Sequence, residues 1–284
     1  MGGLLDPGYD QVYWDLLDEL HSWQVNLTTG SRALPEIDTL WQKRLRDNGM
    51  GSYSKKDVAY FNQFADGYMP YTPDDLVRML EPLEKVIRPL HMAKVCEIGC
   101  ASGQFSDALA SQIGLENIRL YGIDIALKVL STYKYEKVCG SAFALPFASE
   151  SFDVVCLPAT LHHLFPFEAS LRELSRVLRP GGYLYCLEPN YHHPQRFFFM
   201  RFTTLYNLYR KANDVPINAD VLRKMLYRFD LQVSEFEYIN INFNHPSFLQ
   251  RAQNIFAKGV NLWGLKKFTL PWFILLARKM DGKK

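Results

Sequence analysis

The stretch Glu97-Ile98-Gly99-Cys100-Ala101-Ser102-Gly103 decides the fold. It closes the short apolar run Val95–Ile98 and leads into a helical pattern over Phe105–Ile113. Small residues at a tight strand-to-helix turn let a ligand approach the backbone closely, and the helix that follows offers unpaired N–H groups. The spacing is Gly-x-Ala-x-Gly, not the G-x-G-x-x-G run whose glycines admit a pyrophosphate. Glu97 stands two residues ahead of the first glycine, where an acid repels a diphosphate and suits a ligand bearing an ammonium group. Taken alone, the loop is a moderate signal, with a plain strand–helix connection as the lesser reading.

Working outward, short apolar runs alternate with helical patterns. Strands are expected at Arg119–Ile123, Lys137–Cys139, Phe152–Leu157 and Tyr183–Leu187. A helix over Phe167–Leu178 is stopped by Arg179-Pro180-Gly181-Gly182, since proline cannot continue it and glycine accepts a positive φ. Such alternation implies a parallel sheet with right-handed crossovers. Two later strand-like runs, Ser234–Phe243 and Thr269–Arg278, would complete a doubly wound, seven-stranded, mostly parallel α/β sheet with a final antiparallel pair. Upstream, helical spacing occurs in Tyr9–Trp23 and Pro35–Arg46. A further helix begins at Thr72-Pro73, a capping residue followed by proline in the first turn, with Val77, Leu80, Leu83 and Ile87 as its apolar stripe. The expected organisation is an N-terminal helical cap (1–90), a cofactor-binding core (91–190), a helical insert forming a lid (191–230) and C-terminal strands completing the sheet (231–284).

Composition narrows the partners. The 32 Lys+Arg against 30 Asp+Glu leave a formal charge of +2 and no basic stripe, so a nucleic-acid partner is not expected. Five cysteines include no C-x-x-C pair and fall mostly in strand segments, which reads as buried reduced thiols; no metal site is expected. The N-terminus lacks the pattern of a signal peptide and no apolar run reaches a membrane-spanning length, so a cytoplasmic protein without a transmembrane segment is expected. A monomer or homodimer is anticipated.

Tyr121-Gly122-Ile123-Asp124 ends the second strand, and Asp124 falls about twenty residues past the loop, where an acid accepts the ribose hydroxyls of a bound nucleoside. Alone, Asp124 is equally a cap for the next helix. Together with the loop, and with GSAFALPFASESFDVV, LHH and LRELSRVLRPGGYLYCLEP in order behind it, the stretch Val95–Glu188 resembles the core of class I S-adenosylmethionine-dependent methyltransferases. It is most similar to the branch holding the ubiquinone/menaquinone-biosynthesis, sterol, sugar and natural-product enzymes. The matching pieces cover about a third of the chain; they speak to fold and cofactor, not to the acceptor.

The resemblance implies that S-adenosylmethionine binds and S-adenosylhomocysteine leaves as product. Glu97, Gly99, Cys100 and Gly103 would frame the methionine part, Asp124 would hold the ribose, and Ile125 would pack beside the adenine. Ser141-Ala142 stands where the family often has Asp-Ala, and Ala101 replaces the usual middle glycine. Tyr68 lies in a segment, Tyr60–Tyr68, that resembles one folding over the cofactor in relatives; ordinary helical packing is the other reading. His162, His163 and Glu188 are the rival candidates for a catalytic base, placed at the strand ends where open α/β sheets seat ligands. The expected activity is methyl transfer to a small or medium-sized organic acceptor, oxygen slightly preferred, of natural-product, sugar or quinone/lipid type. A non-catalytic S-adenosylmethionine-binding scaffold is the alternative.

Overall fold

The computed structural model describes residues 61–64, 71–164, 167–194, 217–241 and 266–281. The expected helices at Tyr9–Trp23 and Pro35–Arg46, residue Tyr68 and the aromatic stretch after Pro194 lie outside the described residues.

Seven strands form one sheet in the order β3-β2-β1-β4-β5-β7-β6. They are β1 (Ala93–Ile98), β2 (Ile118–Asp124), β3 (Glu136–Cys139), β4 (Phe152–Pro158), β5 (Leu178–Pro189), β6 (Leu231–Ile239) and β7 (Trp272–Lys279). The first five run parallel, and β7 is antiparallel to both β5 and β6. Parallel strands are covered on both faces, which is why β1 and β4 read as nearly continuous apolar runs. The direction of winding reverses between β1 and β4, and open sheets of this kind bind ligands at the carboxyl ends of the strands there.

Helices α1 (Pro73–Ile87) and α2 (Gln104–Ile113) cover one face. Their Met79, Leu80, Leu83, Ile87, Phe105, Leu109 and Ile113 pack on Val95, Leu120, Val154, Cys156 and Tyr185. The opposite face is covered by α4 (Phe167–Val177) and α5 (Ala219–Arg228) through Leu171, Leu174, Val177, Leu222 and Leu226. The short α3 (Leu127–Leu130) lies beside β3, and α6 (Lys266–Thr269) precedes β7. Helix α1 belongs to the core layer, tied to it by the Tyr185 hydroxyl donating to Met79 O at 2.8 Å, and α5 buries its apolar side in the other layer.

Three local expectations shift. The α1 stripe faces Met79, with Val77 57% exposed, because the face centred on Leu80, Leu83 and Ile87 turns toward the Met79 flank. Strand β5 starts at Leu178 and bulges before Tyr183, where Gly181 takes φ +75°. Strand β6 starts three residues before Ser234, which sits at a register shift with its hydroxyl donating to Leu276 O at 3.1 Å. Thr72 caps α1 as expected, its Oγ1 accepting from Asp75 N at 3.2 Å, with Pro73 in the first turn.

Candidate active site

A cleft of about 780 Å³, partly open to solvent, lies at the carboxyl ends of β1, β2 and β4. The glycine loop forms one wall. Gly99 N and Cys100 N both donate to Ile123 O, at 2.8 and 3.2 Å, and Gly99, Ala101 and Gly103 all adopt positive φ. No side chain fits at Gly99, since a Cβ there would lie 2.6 Å from both Cγ2 and Oγ1 of Thr160.

Asp124 meets the loop from β2. Its Oδ2 accepts from Ala101 N at 2.9 Å and its Oδ1 from Ala126 N at 2.8 Å, so it braces the turn after β2, and it borders the cleft. Burial pushes its carboxyl above the ordinary range, against the pull of the backbone donors. Each carboxylate oxygen keeps acceptor capacity beyond one such bond. Ile125 and Ala142 line the cleft with Ile98, Ile123, Val129 and Leu164, an apolar surface for a flat ring. Ser141 is buried, its Oγ accepting from Phe143 N at 3.2 Å, and it shapes the turn while Ala142 faces the cleft.

Glu97, Cys100 and Gly103 do not line the cleft. Glu97 is buried beneath the loop, where it accepts from the Ser106 hydroxyl, and Ser106 Oγ lies 2.8 Å from Tyr133 Oη. Burial raises its carboxyl to about 8. Tyr133 fills the space under the glycines: a Cβ on Gly103 would stand 2.7 Å from its Cδ2, and one on Gly122 2.6 Å from its Cζ. Cys100 is buried with its Sγ 3.9 Å from Ala101 O.

The three base candidates separate. Among them His163 alone lines the cleft, its ring 5.3 Å from that of Phe61 in an edge-on contact. His162 is buried with Nδ1 2.6 Å from Glu188 Oε2. Glu188 is fully buried and accepts from Thr160 N at 3.1 Å, Leu161 N at 2.7 Å and His162 N at 3.3 Å. Burial pushes its carboxyl upward against these donors. Neither Glu188 nor His162 lines the cleft. Sequence reasoning passed over Thr160, Tyr71 and Gly140, all of which line the cleft. Thr160 carried no signal beyond standing just ahead of LHH.

The residues present fit S-adenosylmethionine: an acid at the end of β2, a glycine loop with exposed backbone, and an apolar surface beside both. Comparisons agree. Residues 96–186 match the model of the family described as methyltransferase domain. The demethylmenaquinone methyltransferase of Bacillus licheniformis is 32% identical over 122 residues, 40% of this chain and 51% of that protein. The chain thus spans about half the length of the curated relatives it matches. The phosphoethanolamine N-methyltransferase 2 of Haemonchus contortus, solved with S-adenosyl-L-methionine, shares the fold with a TM-score of 0.55 and 13% identity over 81% of this chain and 58% of that one. A SAM-dependent methyltransferase from Archaeoglobus fulgidus superposes with a TM-score of 0.51 and 19% identity, over 72% of this chain and 92% of that one. Sheet order, loop, cleft and family match converge: residues 96–186 of this chain form a methyltransferase domain of the class I S-adenosylmethionine-dependent type.

Proposed function

We propose that this chain transfers a methyl group from S-adenosylmethionine to a small organic acceptor, preferentially at oxygen. The observation that carries the reading is the cleft at the β1–β4 switch point, where Asp124, Gly99, Ala101 and His163 face one space. When bound, S-adenosylmethionine supplies an electrophilic methyl on a sulfonium leaving group. The chain's own residues then have to align the acceptor and exclude water. Asp124 and the loop hold the nucleoside and amino-acid portions, and Ile98, Ile125, Ala142 and Leu164 give the site its dry surface. His163 stands where it can take the proton from an acceptor hydroxyl.

A quinone-like acceptor is the class suggested by the names of the curated relatives, and the apolar lining favours an acceptor with a flat or hydrophobic body. The buried thiols of Cys96, Cys100, Cys156 and Cys186 suit a reducing compartment, and we place the protein in the cytoplasm. Among the described residues, no helix is long and apolar enough to cross a membrane. Incubation with methyl-labelled S-adenosylmethionine and a panel of phenols, hydroquinones and sugars should put label into a hydroxyl-bearing member, with S-adenosylhomocysteine formed in equal amount. Transfer should collapse in His163→Ala. Binding of the cofactor without transfer to any member would favour a scaffold role, and label on carbon alone would overturn the oxygen preference.

A further inference from the structure

We propose that Glu188 is a positioning residue that clamps the turn after β4 and so sets both walls of the cleft; this rests on the cofactor reading above. The turn carries strain. Ala159 takes φ +54°, a conformation that non-glycine residues seldom adopt and that persists only where neighbours enforce it. Strand β5 does the enforcing twice. Leu187 O accepts from Ala159 N at 2.7 Å, and the carboxylate of the next residue, Glu188, accepts from the three consecutive amides of Thr160, Leu161 and His162. The same carboxylate holds the His162 ring through Nδ1 at 2.6 Å.

Both ends of this clamp reach the cleft. Thr160, whose amide Glu188 holds, packs its side chain into the space where Gly99 has no Cβ, so the turn seats the glycine loop. At the other end, the His162 ring lies 3.9 Å from that of His163, which faces the cleft against Phe61. Glu188 itself never meets the cleft. It acts through Thr160 on the loop and through His162 on His163.

The clamp depends on reach and on an acceptor oxygen, not on negative charge at the reacting atoms. The test compares Glu188→Gln, Glu188→Asp and Glu188→Ala by S-adenosylhomocysteine calorimetry and by amide hydrogen exchange at Thr160, Leu161 and His162 without ligand. Glutamine keeps the length and an oxygen for the Thr160 and Leu161 amides, and its NH2 can donate to His162 Nδ1. Aspartate keeps the charge and loses one methylene of reach.

The clamp predicts that Glu188→Gln stays within about threefold of wild type in affinity and in protection at Thr160 and Leu161, with the His162 amide alone losing its acceptor because it shares Oε2 with Nδ1, whereas Asp and Ala lose about tenfold or more, the effect of leaving a buried amide unpaired. Three results overturn it. The first is Asp matching wild type while Gln fails, which makes charge the requirement. The second is Ala keeping wild-type affinity and protection. The third is Ala losing thermal stability with unchanged affinity, which reduces Glu188 to general packing. If wild type itself fails to bind S-adenosylhomocysteine, the cofactor reading falls, and the exchange rates still decide the clamp.

Discussion

Substituting Gly99 by alanine places a methyl group where the structure has no room. The new Cβ would lie 2.6 Å from Thr160 Cγ2, 2.6 Å from Thr160 Oγ1 and 3.2 Å from Thr160 Cβ. Two costs arise. Holding a non-glycine residue at φ +69° costs about 1–2 kcal/mol. Pushing Thr160 aside costs about 1–3 kcal/mol more, because Thr160 is fixed by its backbone N–H donating to Glu188 Oε1 and by its hydroxyl donating to Pro158 O, each at 3.1 Å. The sum of about 2–5 kcal/mol corresponds to a fall in Tm of roughly 5–15 °C for a domain of this size. Thermal unfolding followed by circular dichroism reads it directly. The double variant Gly99→Ala/Thr160→Ala separates the terms: removing both γ atoms relieves the clash and leaves the backbone cost. The pair should therefore be more stable than the sum of the singles predicts, by about 1–3 kcal/mol. A Gly99→Ala protein that melts with wild type, or a strictly additive pair, would refute the packing of the turn on the loop.

Other consequences follow from the same geometry. Ala101 sits at φ +46° where relatives usually carry glycine, so Ala101→Gly should remove strain and raise stability by up to about 1 kcal/mol in denaturant melts, the gain partly offset by glycine's freedom in the unfolded chain. Glu97 has a folded-state carboxyl raised from 4.5 to about 8, so its neutral form is the one folding favours. Its contribution to stability is full below about pH 4.5 and is lost as pH rises toward 8. Glu97→Gln should flatten that decline, and parallel stability–pH curves for the two proteins would contradict the burial argument. Thr72→Ala removes the α1 cap and should destabilise by about 1 kcal/mol in urea unfolding; a wild-type midpoint would contradict the cap.

Much of the fold could be read in the sequence because a parallel core leaves plain marks. Strands β1, β2 and β4 are mostly apolar runs closed by a turn, and the Thr72-Pro73 cap and the Pro180-Gly181 stop are local chemistry. What failed to show depends on neighbours. The start of β6 is blurred because it is an edge strand whose exposed Glu235 and half-buried partners give a weak alternation. In the site, the loop and Asp124 were legible through fixed spacing from β1. The fates of His162, His163 and Glu188 were not. Consecutive residues in a turn with three residues per revolution point in different directions, so one histidine faces the cleft and the other faces Glu188. Glu188 looked like a base because it ends a strand on the ligand edge, and only the backbone amides from 160–162 show its side chain turned inward. Glu97 is a similar case: the acid ahead of the loop is genuine, yet it is committed to Ser106 beneath the glycines.

The central claim is that Asp124 and the glycine loop form a cofactor site. Calorimetric titration of S-adenosylhomocysteine into wild type and Asp124→Asn tests it most directly. Wild type should bind with micromolar affinity, and the variant should weaken by about tenfold to a hundredfold, the worth of hydrogen bonds to a charged carboxylate. No heat with wild type, or equal affinity in the two proteins, would contradict the account.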